Sequence, residues 1–380
     1  MRVQQVILKS PQLAPGAFAP LADIKPNLVT VFGSIAYFAD ETFLAALQQA
    51  FPSAVLIGCS TAGEISTDGV TDNACIVTAA SLEKTQIESA VTRLAGMDDS
   101  QAAGVRLGET LAGPGLKAVL VFGPGVEING SALVEGLASK VGDRVPITGG
   151  LAGDGGAFVR TFTLGPEGVS DRAVVAIGLS GDALRFGHGS FGGWEPFGPA
   201  RKVTKAVGNV LYELDGEPAL EIYKRYLGDL AADLPASGLL FPFAMLGEDH
   251  SAVGLIRTIL GIDEAAGSLT LAGAIDPDGY LKLMHASTDS LVNGAEAAAE
   301  AAAAMMRGEG ESLAILVSCV GRKLVMGGRV DDEVEAVADV LGSGALLTGF
   351  YSYGEISPFT PGSACQLHNQ TMTITCIGEQ

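Results

Sequence analysis

The sequence predicts an α/β protein: mixed sheets built from repeated strand-helix-strand-loop-strand units, with helices covering the outer faces, arranged in two domains. Three observations lead there. Apolar runs of strand length such as "VTVF", "AVLVF" and "LAILVSC" are continuous rather than alternating, as strands covered on both faces require. Segments of helical periodicity separate them. The same order of elements then returns three times in 380 residues, and self-similarity at that scale outranks any short motif.

The first unit reads "NLVTVFG", the helical "ADETFLAALQQAF", "AVLIGCSTAGEI" and "DNACIVTAASL". The second reads "KAVLVFGPG", "SALVEGLASKV", "VPITGGLAGDGG" and "DRAVVAIGLSG"; the third reads "SLAILVSCVGR", "DDEVEAVADVLG", "ALLTGFYSYGEI" and "ACQLHNQTMTITCI". Asp40 with Thr42, Asn129 with Ser131, and Asp331 with Asp332 supply N-caps or first-turn acids for the three helices. Each second strand runs into a glycine-rich stretch closed by an acid, Glu64, Asp154 or Glu355. These stretches are expected as loops at strand ends, where α/β proteins place ligands.

Between the second and third units the pattern changes. "RKVTKAVGNVLYELDGEPALEIYKRYLG" predicts a strand, a turn at Asp215-Gly216 and a helix, while "GSLTLAGAIDPDGYLKLMHAS" predicts a hairpin around Asp276-Pro277-Asp278-Gly279. A domain boundary therefore falls near residues 200 to 220. "NGAEAAAEAAAAMMRG" predicts a helix closing at Gly308, with alanines that permit close packing.

Hydrophobic residues make up 48% of the chain and mean hydropathy is +0.35, which places it among packed globular proteins rather than disordered ones. The net charge of -20, with no cluster of Lys or Arg to offset it, excludes nucleic acid and anionic lipid as partners. No apolar run reaches the ~20 residues that cross a bilayer, and the N-terminus lacks the apolar core of a signal peptide. Cys59, Cys75, Cys319, Cys365 and Cys376 lie far apart in apolar runs, as reduced core thiols do, so a cytoplasmic location is expected.

"GGLAGDGG" is not G-x-G-x-x-G and no G-x-x-x-x-G-K-[ST] occurs, so phosphate binding is disfavoured. In "GHGSFGG", His188 stands where the nucleophile elbow before Ser190 needs glycine, and a turn is the better reading. Cys59 at a strand end is a candidate nucleophile whose plainer role is core packing. Cys365 and His368 have metal-ligand spacing, yet on a continuous strand they point to opposite faces. "QLHNQTMTIT" commits His368, Asn369 and Gln370 to an otherwise apolar strand, where they either brace the neighbouring "GFYSYGEI" or meet a ligand. His188, beside aromatic residues and Trp194, is the best local candidate for an axial haem ligand, with a loop histidine as the plainer reading.

Together, "IGCSTAGEI", "GGLAGDG", "VTKAVGNVLYELDGEPALEIY", "RTILGID", "SCVGR", "GFYSYGEISPF" and "CQLHNQTMTIT" resemble the FIST (F-box and intracellular signal transduction) family over nearly the whole chain. The resemblance implies an N-terminal domain over 27–215 holding two units and a C-terminal domain over 220–360, with a closing strand to about residue 376. It implies a sensory module for small ligands such as amino acids, without catalytic activity of its own, that works through a separate signalling protein such as a histidine kinase or a cyclic-dinucleotide enzyme. Alternative functions are a haem-based nitric-oxide sensor and a hydrolase using Cys59 or Ser190. Matching the family's motifs are Cys59, Ser60, Thr61 and Glu64; Gly149, Gly150 and Asp154; Arg257; Ser318, Cys319 and Arg322; and Tyr351, Tyr353, Glu355, His368 and Asn369. Among these, Arg257 or Arg322 suits a ligand carboxylate and Glu64 or Glu355 an ammonium group, with tyrosines as walls. Arg and Glu pairing with each other to lock the loops is the alternative.

Overall fold

A computed structural model describes residues 1–308, 310–359 and 362–380. Unit one comprises β1 (Arg2–Leu8), α1 (Ala19–Ala22), β2 (Leu28–Gly33), α2 (Ile35–Phe38), α3 (Glu41–Ala50), β3 (Val55–Ser60), β4 (Glu64–Ser66), β5 (Gly69–Thr71) and β6 (Cys75–Ser81). Unit two comprises β7 (Gln86–Arg93), α4 (Ser100–Leu111), β8 (Leu116–Gly123), α5 (Gly130–Val141), β9 (Ile147–Leu151), β10 (Thr163–Gly165), β11 (Gly168–Ser170) and β12 (Ala173–Ser180). Unit three begins with β13 (Leu184–Phe191) and resumes after an insertion.

The inserted sheet contains β14 (Glu195–Val207), β15 (Val210–Leu214), β16 (Glu217–Pro218), β17 (Phe243–Leu246), β18 (Ala252–Arg257), β19 (Ile259–Asp263), β20 (Ser268–Leu271) and β21 (Tyr280–His285), with α6 (Ala219–Leu227) packed on it. Unit three then continues with α7 (Thr288–Met305), β22 (Ser312–Cys319), α8 (Val320–Met326), α9 (Asp331–Leu341), β23 (Ala345–Ser352), β24 (Gly354–Pro358), β25 (Cys365–His368) and β26 (Met372–Glu379).

The three unit sheets share one strand order: β1-β6-β2-β3-β10-β11, β7-β12-β8-β9-β24-β25 and β13-β26-β22-β23-β4-β5. In each, the first and second strands of a unit run parallel and the closing strand antiparallel. The two outermost strands come from another unit. Unit two lends β10–β11 to β3, unit three lends β24–β25 to β9, and unit one lends β4–β5 to β23, so the exchange closes on itself.

Register shows what the exchange demands. Gly58, Gly149 and Gly349 occupy the same place in the three second strands, and a Cβ on each would stand 1.9 Å from a carbonyl oxygen of the neighbouring first strand, that of Val31, Val121 or Leu316. Only glycine allows this close approach. One residue later, Cys59, Gly150 and Phe350 face the centre with Phe32, Phe122 and Val317. Phe350 stacks on Phe32 at 4.9 Å and meets Phe122 edge-on at 5.8 Å, occupying room that Gly150 leaves free.

The helices cover the outer faces as expected. Asp40 caps α3 by accepting from the Thr42 and Phe43 N–H groups, and Asn129 caps α5 through Ala132 N–H. Gly104 and Gly136 bring α4 and α5 into backbone contact. The alanine face of α7 lies against Gly187 and Gly189 of β13, where added Cβ atoms would come within 2.4 and 2.0 Å of Ala302 and Ala298 oxygens.

Three expectations need correction. The Gly-acid stretches of units one and three are not loops, because Glu64 and Glu355 are already strand residues of the exchanged β4 and β24. Their register counterpart in unit two is Thr163, opposite Cys59, whereas Asp154 belongs to an extra segment ahead of β10. The turn at 276–279 forms, with Asp276 accepting from Asp278 N–H, but it joins no hairpin: β20 lies between β15 and β19, and β21 between β14 and β17. Finally, the strand after Cys365 breaks at Gln370, whose φ is 63°, so side-chain alternation stops at His368.

Gly58→Ala should cost about 3 kcal/mol or more, or prevent folding, because backbone must move to admit the methyl group. Gly328→Ala, with nothing within 4 Å, should change stability by less than about 0.5 kcal/mol. Urea unfolding of both variants checks the contrast.

Candidate ligand-binding site

The crossovers between second strands and exchanged strands do converge, but they fill one another. Ala62 N–H donates to Tyr351 O, Tyr351 N–H to Gly63 O, Tyr353 N–H to Leu151 O and Gly153 N–H to Ser60 O. Ser60 Oγ donates to Gly153 O at 2.7 Å and accepts from Phe162 N–H. Cys59 is buried in the central core, which pushes its thiol pKa up and keeps it protonated.

Each acid is held by its own surroundings. Glu64 accepts from Thr61 Oγ1 at 2.6 Å and from Ala74 N–H at 3.0 Å; Glu355 accepts from Ser352 Oγ at 2.5 Å and from both N–H and Oγ1 of Thr371. Burial raises the pKa of both, against the pull of those donors, and takes Glu355 to about 8. Asp154 is different. Burial opposes its ionisation, but the Tyr353 hydroxyl and the N–H groups of Phe158, Val159 and Arg160 outweigh that and hold its pKa low.

The two candidate arginines also part company. Arg322 and Glu333 form an ion pair at 2.7 Å with both side chains fully buried, and Glu333 also accepts from Ser318 Oγ and Tyr351 Oη. This cluster, beside Cys319, is a lock between α8, α9 and the third sheet. Its carboxylate is not among the strand-end acids. Arg257, only 3% exposed, has no carboxylate partner among the described residues. It donates instead to the carbonyls of Ala274, Ile256 and Leu367, and burial pulls its pKa down to about 10, leaving it cationic at neutrality.

Beside Arg257 lies a cavity of about 710 Å³. One wall is the 125–130 turn with Leu151, Gly156, Phe158, Tyr353, Leu367 and Asn369; the facing wall is Gly208, Asn209, residues 233–236, Leu239 and residues 259–260 and 271–274 of the inserted region. The lining is mostly aliphatic and aromatic. Asp233 and Glu127 stand exposed at its mouth.

Polar groups gather at one end. The first turn of α5 enters the wall at Gly130, and Asn129 caps only Ala132 N–H, so that end of the helix favours an anion. A Cβ on Gly130 would touch Leu367, and one on Gly273 would stand 2.9 Å from Arg257 Nε, so helix terminus and guanidinium flank the same stretch of chain. There Asn369, 2% exposed, lines the cavity with Oδ1 unpaired among the described residues. Next to it, His368 Nε2 bonds Ser357 O at 2.8 Å, Gln370 Nε2 donates to Leu239 O, and Trp194 Nε1 donates to Gln370 O. The polar segment thus braces the inserted region and also presents one unmatched amide to the cavity. Tyr353 stacks on Phe158 at 4.0 Å, with its hydroxyl committed to Asp154.

The FIST N domain matches residues 27–217 and the FIST C domain matches residues 219–358. The chain belongs to the FIST family. FIST domains have a sensory, ligand-binding role in signal transduction. Two curated relatives are an uncharacterized protein of Mycobacterium tuberculosis, 30% identical over 215 residues (54% of this chain, 55% of the relative), and one of Methanocaldococcus jannaschii, 44% identical over 88 residues (22% and 15%). This FIST chain spans about half the length of the mycobacterial relative it matches, and less of the archaeal one. Among solved structures, a cyanuric acid hydrolase from A. caulinodans aligns over 100% of this chain and 99% of its own at a TM-score of 0.39 and 11% identity.

Of the residues singled out in the FIST sequence, Tyr353 and Asn369 line the cavity and Arg257 and His368 stand behind it. Cys59, Ser60, Thr61, Glu64, Gly149, Gly150 and Glu355 build the crossovers, while Ser318, Cys319, Arg322 and Tyr351 build the Glu333 lock. Sequence reasoning missed Gly130, Asn209 and residues 271–274. The Asn129 cap signalled where a helix begins, but only tertiary structure shows what that terminus faces. No histidine lines the cavity: His188 is buried on β13 with Nδ1 unpaired among the described residues, His250 packs on Tyr280, and His285 on Phe197. The site does not fit a histidine-ligated haem.

Glu355 and His368 set opposite pH limits. The folded-state pKa of Glu355 lies above its ordinary 4.5, so its contribution is complete below that pH and lost as pH rises through about 8. Burial lowers His368 from 6.5 to about 4, so its contribution is complete above pH 6.5 and lost as pH falls through about 4. Glu355→Gln should therefore shrink the drop in thermal midpoint between about pH 5 and about pH 8. An unchanged drop would assign the titration elsewhere.

Proposed function

We propose that the chain is a cytoplasmic sensor, without catalytic activity of its own, that binds a small metabolite in the 710 Å³ cavity and signals through a separate partner protein. The observation that carries this is the buried Asn369 Oδ1, unpaired among the described residues, on the cavity that the α5 terminus also lines and that Arg257, with no carboxylate partner among those residues, stands behind. Both flanking groups favour a negative ligand head. Asn369 adds either an acceptor or, after a half-turn of its amide, a donor. Apolar walls suit the rest of the ligand. An amino acid with an apolar side chain offers this combination, with its ammonium within reach of Asn369 Oδ1. The buried Cys59 and the fully buried Ser190 support a binding role over nucleophilic catalysis.

Thermal-shift screening with the twenty amino acids and simple monocarboxylates tests the reading. A ligand at a hundred times its Kd stabilises by about 2.7 kcal/mol. Ligands with both a carboxylate and an apolar body should raise the midpoint, and Asn369→Leu should abolish the shift. A shift that survives both Asn369→Leu and a cavity-filling Ala272→Phe would place the ligand elsewhere.

A further inference from the structure

The size and mouth of the cavity say more about the ligand than its polar end does. At roughly 30 Å³ per water-sized group, 710 Å³ accommodates about two dozen non-hydrogen atoms, well beyond a free amino acid. Such volumes ordinarily hold drug-sized ligands. The additional space is apolar, with Ile128, Leu234, Leu239, Ile259 and Leu271 on its walls. At the mouth the apolar character continues into solvent: Met97, Leu260 and Phe158 line the cavity and are 53%, 46% and 39% exposed. An exposed apolar rim of this kind marks a site for an apolar group. Positive character comes from Arg257 behind the wall and from the α5 terminus, while the exposed acids Glu127 and Asp233 also line the cavity. A second carboxylate at the mouth would meet those acids.

We infer that the cavity takes an aliphatic monocarboxylate of medium chain length, its carboxylate at Gly130 and Asn369 and its chain directed along Leu234, Leu239 and Leu271 of the facing wall toward Leu260. This rests on the ligand-site reading above and specifies the ligand class. Arg257 acts from behind Gly273 and Leu367 as the countercharge, through a low-dielectric wall. Each methylene buried should tighten binding about three- to fourfold, until the chain outgrows the rim.

Calorimetric titration with hexanoate, octanoate, decanoate and dodecanoate, below their micellar concentrations, tests the inference. Affinity should rise by about tenfold per two carbons, then level off, and 1-decanol should bind at least about tenfold more weakly than decanoate. Leu260→Asp, a change at an exposed position, should weaken dodecanoate more than hexanoate. Arg257→Gln should erase the preference for decanoate over decanol. Equal binding of acid and alcohol, or no dependence on length, overturns the inference. If apolar amino acids bind in an Asn369-dependent way while no acyl carboxylate does, the ligand site stands and the acyl class is wrong; if neither class binds, both readings fall.

Discussion

Everything in this fold depends on the contact between a second-strand glycine and the carbonyl of the strand beside it, made three times at Gly58, Gly149 and Gly349. Without a Cβ there, each second strand packs closely against the first strand of its own unit, and the lent hairpin pairs on its other side at the glycine and the next residue. The three sheets then share their outermost strands in a closed cycle. Phe32, Phe122 and Phe350 fill the centre where the sheets back onto one another. The same exchange is made at all three junctions.

They differ in what occupies equivalent places. Where unit one lends to unit three, Tyr351 is tied to the buried Arg322–Glu333 pair. A buried pair of this kind is weak evidence for stability, since desolvation offsets attraction, but removing one partner would strand the other. Where unit two lends to unit one, Ser60 bonds both neighbours and Thr163 replaces the acid, its hydroxyl donating to Ala173 O. Where unit three lends to unit two, the extra segment of unit two lifts Phe158 onto Tyr353 and the inserted sheet closes over the top. This third junction opens onto the 710 Å³ cavity, and Arg257, a buried guanidinium with no carboxylate partner among the described residues, lies next to it.

Much of this was legible locally. The continuous apolar strands, the caps at Asp40 and Asn129 and the close-packing alanines of α7 follow from periodicity and side-chain chemistry that act within a few residues. The polar run His368-Asn369-Gln370 signalled a special place because burying such groups is costly, and it both braces and lines. What was not legible depends on partners distant in sequence. Glu64 and Glu355 read as loop acids because nothing local shows that their strands pair with another unit. Asp154 read as their equal because glycine followed by acid looks alike whether it starts a strand or an extra segment. The apparent hairpin at 276–279 failed for the same reason: the turn chemistry was right, and the flanking strands found other neighbours.

The proposed ligand site lies between the exchanged hairpin of unit three and the inserted sheet, not among the converging crossovers. Amide hydrogen exchange, measured with and without a saturating bound carboxylate, tests it most directly because it reports where the backbone is protected. Slower exchange is expected at residues 125–130, 271–274 and 367–369, with segment 58–66 unchanged. Protection confined to 58–66 and 147–150, with the cavity walls unaffected, would put the ligand among the crossovers instead.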